Sequence, residues 1–190
     1  MTKVLLILAA SLAACVSTAT AGDWYAGIYG GVNRNSVIEA PFVKDKTGSA
    51  VGAVVGRNIA AVPGLRIEAD LSVRNNEVDI FGGAITADHE TTGALFNVAY
   101  DFGAGPVKPY VLLGAGYGHT QATFENVSLL RLEASDVAFQ VGAGATAPLF
   151  PGARIGIGYR FFQGPTIEVL GTELSDGANH SLIGTLHFDL

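Results

Sequence analysis

Residues 108–120 read KPYVLLGAGYGHT, and two sets of residues alternate through them. Val111, Leu113, Ala115 and Tyr117 hold the odd positions, and Gly114, Gly116, Gly118 and Thr120 hold the even ones. A period of two belongs to a β-strand, whose successive side chains point to opposite faces. Here one face is apolar and the other is almost bare. Glycine weakens a strand and offers water nothing to bond, so a solvated sheet does not gather it on its polar face. The inside of a narrow closed barrel does, because eight strands leave room only for small or interlocking side chains. The apolar face therefore points outward, into lipid.

The alternation recurs along the chain. Trp24, Ala26, Ile28, Gly30 and Val32 form one outward set, and Val51, Ala53 and Val55 the next, backed by Gly52, Val54 and Gly56. Leu65, Ile67, Ala69, Leu71 and Val73 stand opposite Arg66, Glu68, Asp70, Ser72 and Arg74. Residues 91–102 turn Ala94, Phe96, Val98, Tyr100 and Phe102 outward, with Asn97 and Asp101 inward. Val137, Phe139, Val141 and Ala143 stand over Asp136, Ala138, Gln140 and Gly142. Ile155, Ile157, Tyr159 and Phe161 stand over Arg154, Gly156, Gly158 and Arg160. Leu182, Gly184, Leu186, Phe188 and Leu190 close the chain, over Ser181, Thr185, His187 and Asp189.

Four long polar connections are expected at residues 34–47, 75–90, 123–133 and 164–177. Between them lie short turns at Pro63-Gly64, 103–107 and 148–152. An even strand number with unequal connections at the two ends predicts an all-β fold, an eight-stranded antiparallel up-and-down transmembrane β-barrel. The approximate twenty-residue rhythm is that of hairpins, not of a solenoid.

Residues 1–21 stand apart. Lys3, an apolar run over 4–14 and Ala19-Thr20-Ala21 make a secretory signal peptide, leaving 22–190 as one barrel domain. The run is too short to span a bilayer as a helix. Leu12-Ala13-Ala14-Cys15 offers a second processing route, with Cys15 lipidated. Cys15 is the only cysteine, so no disulfide is available and stability must come from strand pairing and burial. Without Lys3 the chain carries ten basic and seventeen acidic groups. That balance disfavours nucleic acid, which rewards basic patches. A soluble eight-stranded barrel with a ligand inside would also alternate. Its outer polar faces would need Lys, Glu and Thr where this chain has glycine, and only three lysines remain after Lys3.

Inside a lipid-embedded barrel, Arg66, Glu68, Asp70, Arg74, Asp101, Asp136, Arg154 and Arg160 become a mixed-sign lumen set. Charges in so narrow a lumen must pair, because an unmatched one costs several kcal/mol. The set can plug the lumen with salt bridges or line a gated path. Trp24, Tyr100, Phe102, Tyr117, Tyr159 and Phe161 are expected in the aromatic girdles at the two interfaces. His89, His119 and His180 fall near the long connections, where a lipid-modifying enzyme would keep its site. Ser181 follows His180 and faces the other way, so that pair cannot form a nucleophile and base. No metal-ligand spacing, phosphate loop or carboxylate dyad stands out; no catalytic residue, cofactor or metal site is expected. The acidic connections, with Glu77, Asp79, Asp88, Glu90, Glu173 and Asp176, suggest surface contacts that depend on divalent cations.

The start WYAGIYGGV, the strand PYVLLGAGYG and the short apolar C-terminal strand resemble the small outer-membrane barrels grouped with OmpA's membrane domain and OmpX. The resemblance covers residues 22–190. It implies a bacterial cell outer membrane location in a Gram-negative host and contact with outer-membrane lipid and lipopolysaccharide. It also implies delivery by the barrel assembly machinery, which reads a C-terminal signal formed here by Leu186, Phe188 and Leu190. Family members usually end in an aromatic residue, and this chain ends in leucine. The implied function is that of a monomeric structural or adhesin-like surface protein with a plugged polar lumen, meeting a host or cell-surface ligand through its long connections. The alternatives are a narrow channel for small solutes and a lipid A-modifying barrel enzyme.

Overall fold

The computed structural model describes residues 23–36, 43–80, 85–125, 131–169, 172–175 and 177–190. The proposed leader lies outside them. The described residues form β-strands and no helix: β1 (Trp24–Asn35), β2 (Val43–Asp45), β3 (Gly48–Asn58), β4 (Leu65–Ile80), β5 (Ile85–Asp101), β6 (Lys108–Glu125), β7 (Arg131–Phe150), β8 (Ala153–Gln163), β9 (Ile167–Val169), β10 (Thr172–Ser175) and β11 (Ala178–Asp189). Eight of them close an antiparallel barrel in the order β4-β3-β1-β11-β8-β7-β6-β5, and β4 pairs back to β5. The seam joins the first strand to the last, with Tyr25 opposite Asp189 and Asn35 opposite Asn179. Closure leaves no backbone edge within the lipid, the condition a spanning sheet must meet.

The expected register is observed. Leu113 is 63% exposed, Ile157 60% and Phe96 57%, all on the outer wall, whereas Tyr25, Asn97 and Phe162 inside are 0% exposed. The short turns each reverse on a glycine at positive φ: Gly64 at 89°, Gly103 at 80° and Gly152 at 80°. Such values cost an L side chain but not glycine.

The other end differs from expectation. Residues 75–80 and 85–90, expected in a loop, are strand: β4 and β5 stay paired up to Ile80 opposite Ile85. Likewise β6 and β7 stay paired up to Thr123 opposite Arg131, so the described residues of the expected 123–133 loop are strand. By contrast, β3 meets β4 only as far as Ser49 opposite Asn75, and β7 meets β8 only from Phe139 opposite Gln163. The β4–β7 hairpins therefore rise above the barrel as a four-stranded sheet. The short β2 adds to its β4 edge through Val43–Ile80, Lys44–Asp79 and Asp45–Val78. The last connection carries a small hairpin of its own, β9–β10.

Candidate functional site: the lumen and the protruding sheet

The inward side chains stack in layers along the lumen, starting at the short-turn end. There Arg66 lies between Glu68, which it contacts through Nη1, and Asp101, whose Oδ2 is 3.0 Å from Nε. Tyr25 Oη donates to Glu68 Oε1 at 2.6 Å and accepts from Arg66 Nη1 at 2.9 Å. Arg154 lies over the Tyr25 ring at 4.9 Å and pairs with Asp189 at 3.1 Å.

Asp70 organises the middle layer. Its Oδ2 accepts from Arg160 Nη1 at 2.6 Å, Asn97 Nδ2 at 3.2 Å and Gln140 Nε2 at 3.3 Å. Its Oδ1 accepts from Tyr29 Oη at 2.7 Å. Arg160 also covers the Tyr29 ring at 4.1 Å. A buried carboxylate with four donors, one of them a guanidinium, is the satisfied arrangement that offsets the cost of taking charge out of water. Glycines make the room: a Cβ on Gly52 or Gly56 would overlap the ring of Tyr29 or Tyr25.

Higher up, Leu95, Ala138 and Phe162 close into an apolar layer, with Pro165 against Gly118. Arg74 lies 3.9 Å over the Phe162 ring and donates through Nη1 to Ser72 Oγ at 2.8 Å. Above it is an uncharged layer in which Asn33 Nδ2 donates to Asn76 and Asn179, and Ser181 Oγ donates to Asn33 Oδ1 at 2.6 Å.

Seven of the eight charges expected in the lumen line it. Asp136 does not: it is exposed, and its carboxylate accepts from the Val137 N–H at 2.7 Å. The reason is register, since β8 ends below it and β7 has left the barrel there. Arg154 takes the C-terminal Asp189 as its partner, and Arg74 has no carboxylate partner among the described residues. The requirement that every lumen charge pair fails at Arg74. Tyr25, Tyr29, Asn97, Gln140 and Phe162 escaped the sequence reading as members of this network. Their inward parity was the available signal.

The girdle residues lie on the outer wall in two belts. Trp24 sits under Arg57 at 5.6 Å, and Tyr100 meets Phe102 edge-on at 5.0 Å near the short turns. Tyr117 is exposed toward the other end, where Tyr159 and Phe161 flank His180. Phe188 is exposed on the same outer wall, Leu186 and Leu190 are half-buried, and the Leu190 N–H bonds Trp24 O at 2.9 Å.

On the protruding sheet, Lys46 holds both Glu77 and Asp79, so two of the acids proposed to bind cations already have a cation. Hydrogen bonding to Glu77 raises the Lys46 ammonium above its ordinary value. Asp176 and the side chain of Glu173 lie outside the described residues. Among those described, no cluster of three or more acids, histidines or cysteines could hold a metal ion. A polar cleft of about 700 Å³ runs along this sheet, lined by Ser49, Asn75, Asp88, Glu90 and Gln121 among others. His89 is buried beside Asn35, whose Nδ2 lies 3.3 Å from Nδ1, and burial lowers its basicity.

Cross-strand pairing also brings serine to histidine twice, which sequence spacing did not reveal. His119 Nδ1 lies 2.7 Å from Ser135 Oγ, and His180 Nε2 lies 3.0 Å from Ser36 Oγ with Tyr159 Oη 2.5 Å from Nδ1. Neither imidazole is held by a carboxylate among the described residues, so neither has the acid that orients the base of a hydrolase triad.

A closed eight-stranded barrel with an apolar outer wall and two aromatic belts calls for comparison with membrane proteins. Residues 6–179 match the family described as outer membrane protein beta-barrel domain. The chain belongs to that family. It is a protein of the bacterial outer membrane, and its apolar wall is the surface that meets lipid. No curated protein matches it in sequence. Among solved structures, it resembles Neisserial surface protein A with 18% identity, 90% of this chain and 100% of that one covered, and a TM-score of 0.64. It also resembles Ail, the attachment invasion locus protein of Yersinia pestis, solved with the heparin analogue sucrose octasulfate: 16% identity, 90% and 100% covered, TM-score 0.56. A third is a major outer membrane protein of Thermus thermophilus, at 11% identity, 88% and 99% covered, TM-score 0.55.

Proposed function

We propose that this barrel is a non-enzymatic surface-interaction protein of the adhesin kind, whose lumen is a rigid plug and whose protruding sheet meets the partner. The observation that carries this reading is the upper part of β7. Residues 131–138 pair with β6 on one side and hydrogen-bond to no strand on the other among the described residues, although β9 runs close to β7. An open edge presents unpaired backbone donors and acceptors to any extended chain, the basis of recognition by strand addition. The Val137 N–H is satisfied by its own neighbour's carboxylate, so the odd-numbered amides of this stretch face the open side.

The fold shared with an attachment protein and a surface protein is consistent with this role. Ail was solved with a heparin analogue; here acidic residues crowd the sheet, and the reading favours a peptide over a sulfated glycan. The plugged lumen rests on Leu95, Ala138 and Phe162, all 5% exposed or less, above the Asp70 and Arg66 pairs. Delivery in this reading follows removal of residues 1–21 and recognition of Leu186, Phe188 and Leu190 by the barrel assembly machinery, and the barrel works as a monomer surrounded by lipopolysaccharide.

The test is Glu133→Pro, which removes an amide on the open side of β7 while leaving the β6 pairing in place. Cells displaying the variant should attach to host cells or matrix proteins far less than cells displaying the parent at equal surface level. Unchanged attachment would dismiss the edge as the docking surface. Steady single-channel conductance of the refolded barrel in a planar bilayer would dismiss the plug.

A further inference from the structure

Arg74 is 1% exposed, and no carboxylate among the described residues pairs with its guanidinium. The other three lumen arginines all have one. Asp70, two inward positions below it on β4, is already bound to Arg160, Tyr29, Asn97 and Gln140. Two guanidiniums thus share one carboxylate in the upper half of a lumen surrounded by lipid.

The surroundings of Arg74 are rich in donors. Its Nε has no hydrogen-bond partner, and its Nη1 donates to Ser72 Oγ, which leaves the serine hydrogen to be given elsewhere. Thr91 is its cross-strand neighbour and Thr120 the next along the row, and both are buried inward. Their hydroxyls lie 3.2 Å apart, so one donates to the other and the second hydrogen is spare. The Phe162 face supplies some attraction for the cation but no hydrogen-bond acceptor. A buried cation with spare donors around it and no counter-charge is an arrangement that a protein neutralises or avoids.

We propose that the upper lumen holds a small inorganic monoanion of about chloride size, bound by Arg74 with the Ser72, Thr91 and Thr120 hydroxyls beside it. The Asn33–Asn76–Asn179 layer lies above Arg74 and the Phe162 ring and Leu95 lie beneath it, so the site is walled off from both ends of the lumen. Binding to the folded barrel alone makes thermal stability depend on the halide.

The experiment compares unfolding of the refolded barrel in sodium bromide, sodium chloride and sodium gluconate at one ionic strength. Bromide or chloride should raise the midpoint over gluconate by about 5–10 °C at a hundred times the dissociation constant. Arg74→Met should abolish the difference between the salts, and Arg74→Lys should keep it. Equal midpoints of the parent in all three salts would overturn the proposal. A salt difference that survives in Arg74→Met would do the same, placing the ion elsewhere. Should Arg74→Met fail to fold, bromide anomalous scattering from crystals of the parent decides: a peak beside Arg74 supports the site, and its absence removes it.

Discussion

Asp70→Asn should destabilise the barrel far more than any single hydrogen bond suggests. Asparagine keeps the shape and one acceptor oxygen, but it removes the charge and points an amide donor toward Arg160. In the parent, Arg160 Nη1 lies 2.6 Å from Asp70 Oδ2, with both side chains almost fully buried. Breaking a buried pair from one side costs about 3–5 kcal/mol, because the other charge is left uncompensated. Loss of an acceptor for Tyr29, Asn97 or Gln140 adds about 1 kcal/mol. For a chain of this size each kcal/mol moves the midpoint by about 2–4 °C, so the expected fall is about 10–20 °C. The assay is the temperature at which the compact gel band of detergent-folded protein converts to the slower boiled form. Adding Arg160→Met should recover a large share of the loss, since the orphaned cation goes with it. A midpoint within about 2 °C of the parent would refute the reasoning, and so would a double variant weaker than Asp70→Asn alone.

Folded and boiled samples of the parent should migrate differently on a detergent gel, because closed strand pairing withstands detergent until heated; identical migration would contradict a closed barrel in lipid. Leu186→Arg and Phe188→Arg, on the outer wall, should impair assembly by up to about 2–4 kcal/mol, less near the interface, whereas Thr185→Ser inside should do little; heat-shift yields of the three variants read this directly. Burial holds the His89 imidazole below its ordinary 6.5, so the unfolded chain takes up a proton there before the folded one. Stability is therefore fully present above about pH 6.5 and falls as the pH drops below it. His89→Gln should make that part of a pH-dependent melting series shallower.

The barrel itself could be read from residue order because each strand is a two-sided object between lipid and a narrow lumen. That asymmetry prints apolar residues on one parity and glycine or charge on the other. The protruding sheet left no such print. In Asn75, Asn76, Glu77, Val78 and Asp79 both faces carry polar side chains, the buried Asn76 included, so hydrophobic alternation vanishes and the segment resembles a loop. Asp136 was misplaced for the same reason: its parity is that of Ala138 and Gln140, but parity does not reveal where a neighbouring strand stops. The serine–histidine contacts depend on which strands lie side by side, which spacing along one strand cannot show. The lumen charges were recognisable as a set. The allocation of Asp70 to Arg160, and not to Arg74, depends on register across four strands.

Tyr25 and Tyr29 rest on Gly56 and Gly52 of the adjoining strand, with no space left for a Cβ beneath either ring. Each tyrosine and its glycine thus occupy one shared volume, and neither can be replaced freely while the other stays. In the drift of such sequences over generations the two strands carry a joint inheritance. A larger residue at position 52 requires a lineage that has already given up the ring at position 29, and with it a donor to Asp70, and in which the Leu71 carbonyl of β4 has also moved aside. Changes at these positions are expected to arrive in pairs and in that order, so a lone substitution at either glycine marks a chain whose lumen has been rebuilt.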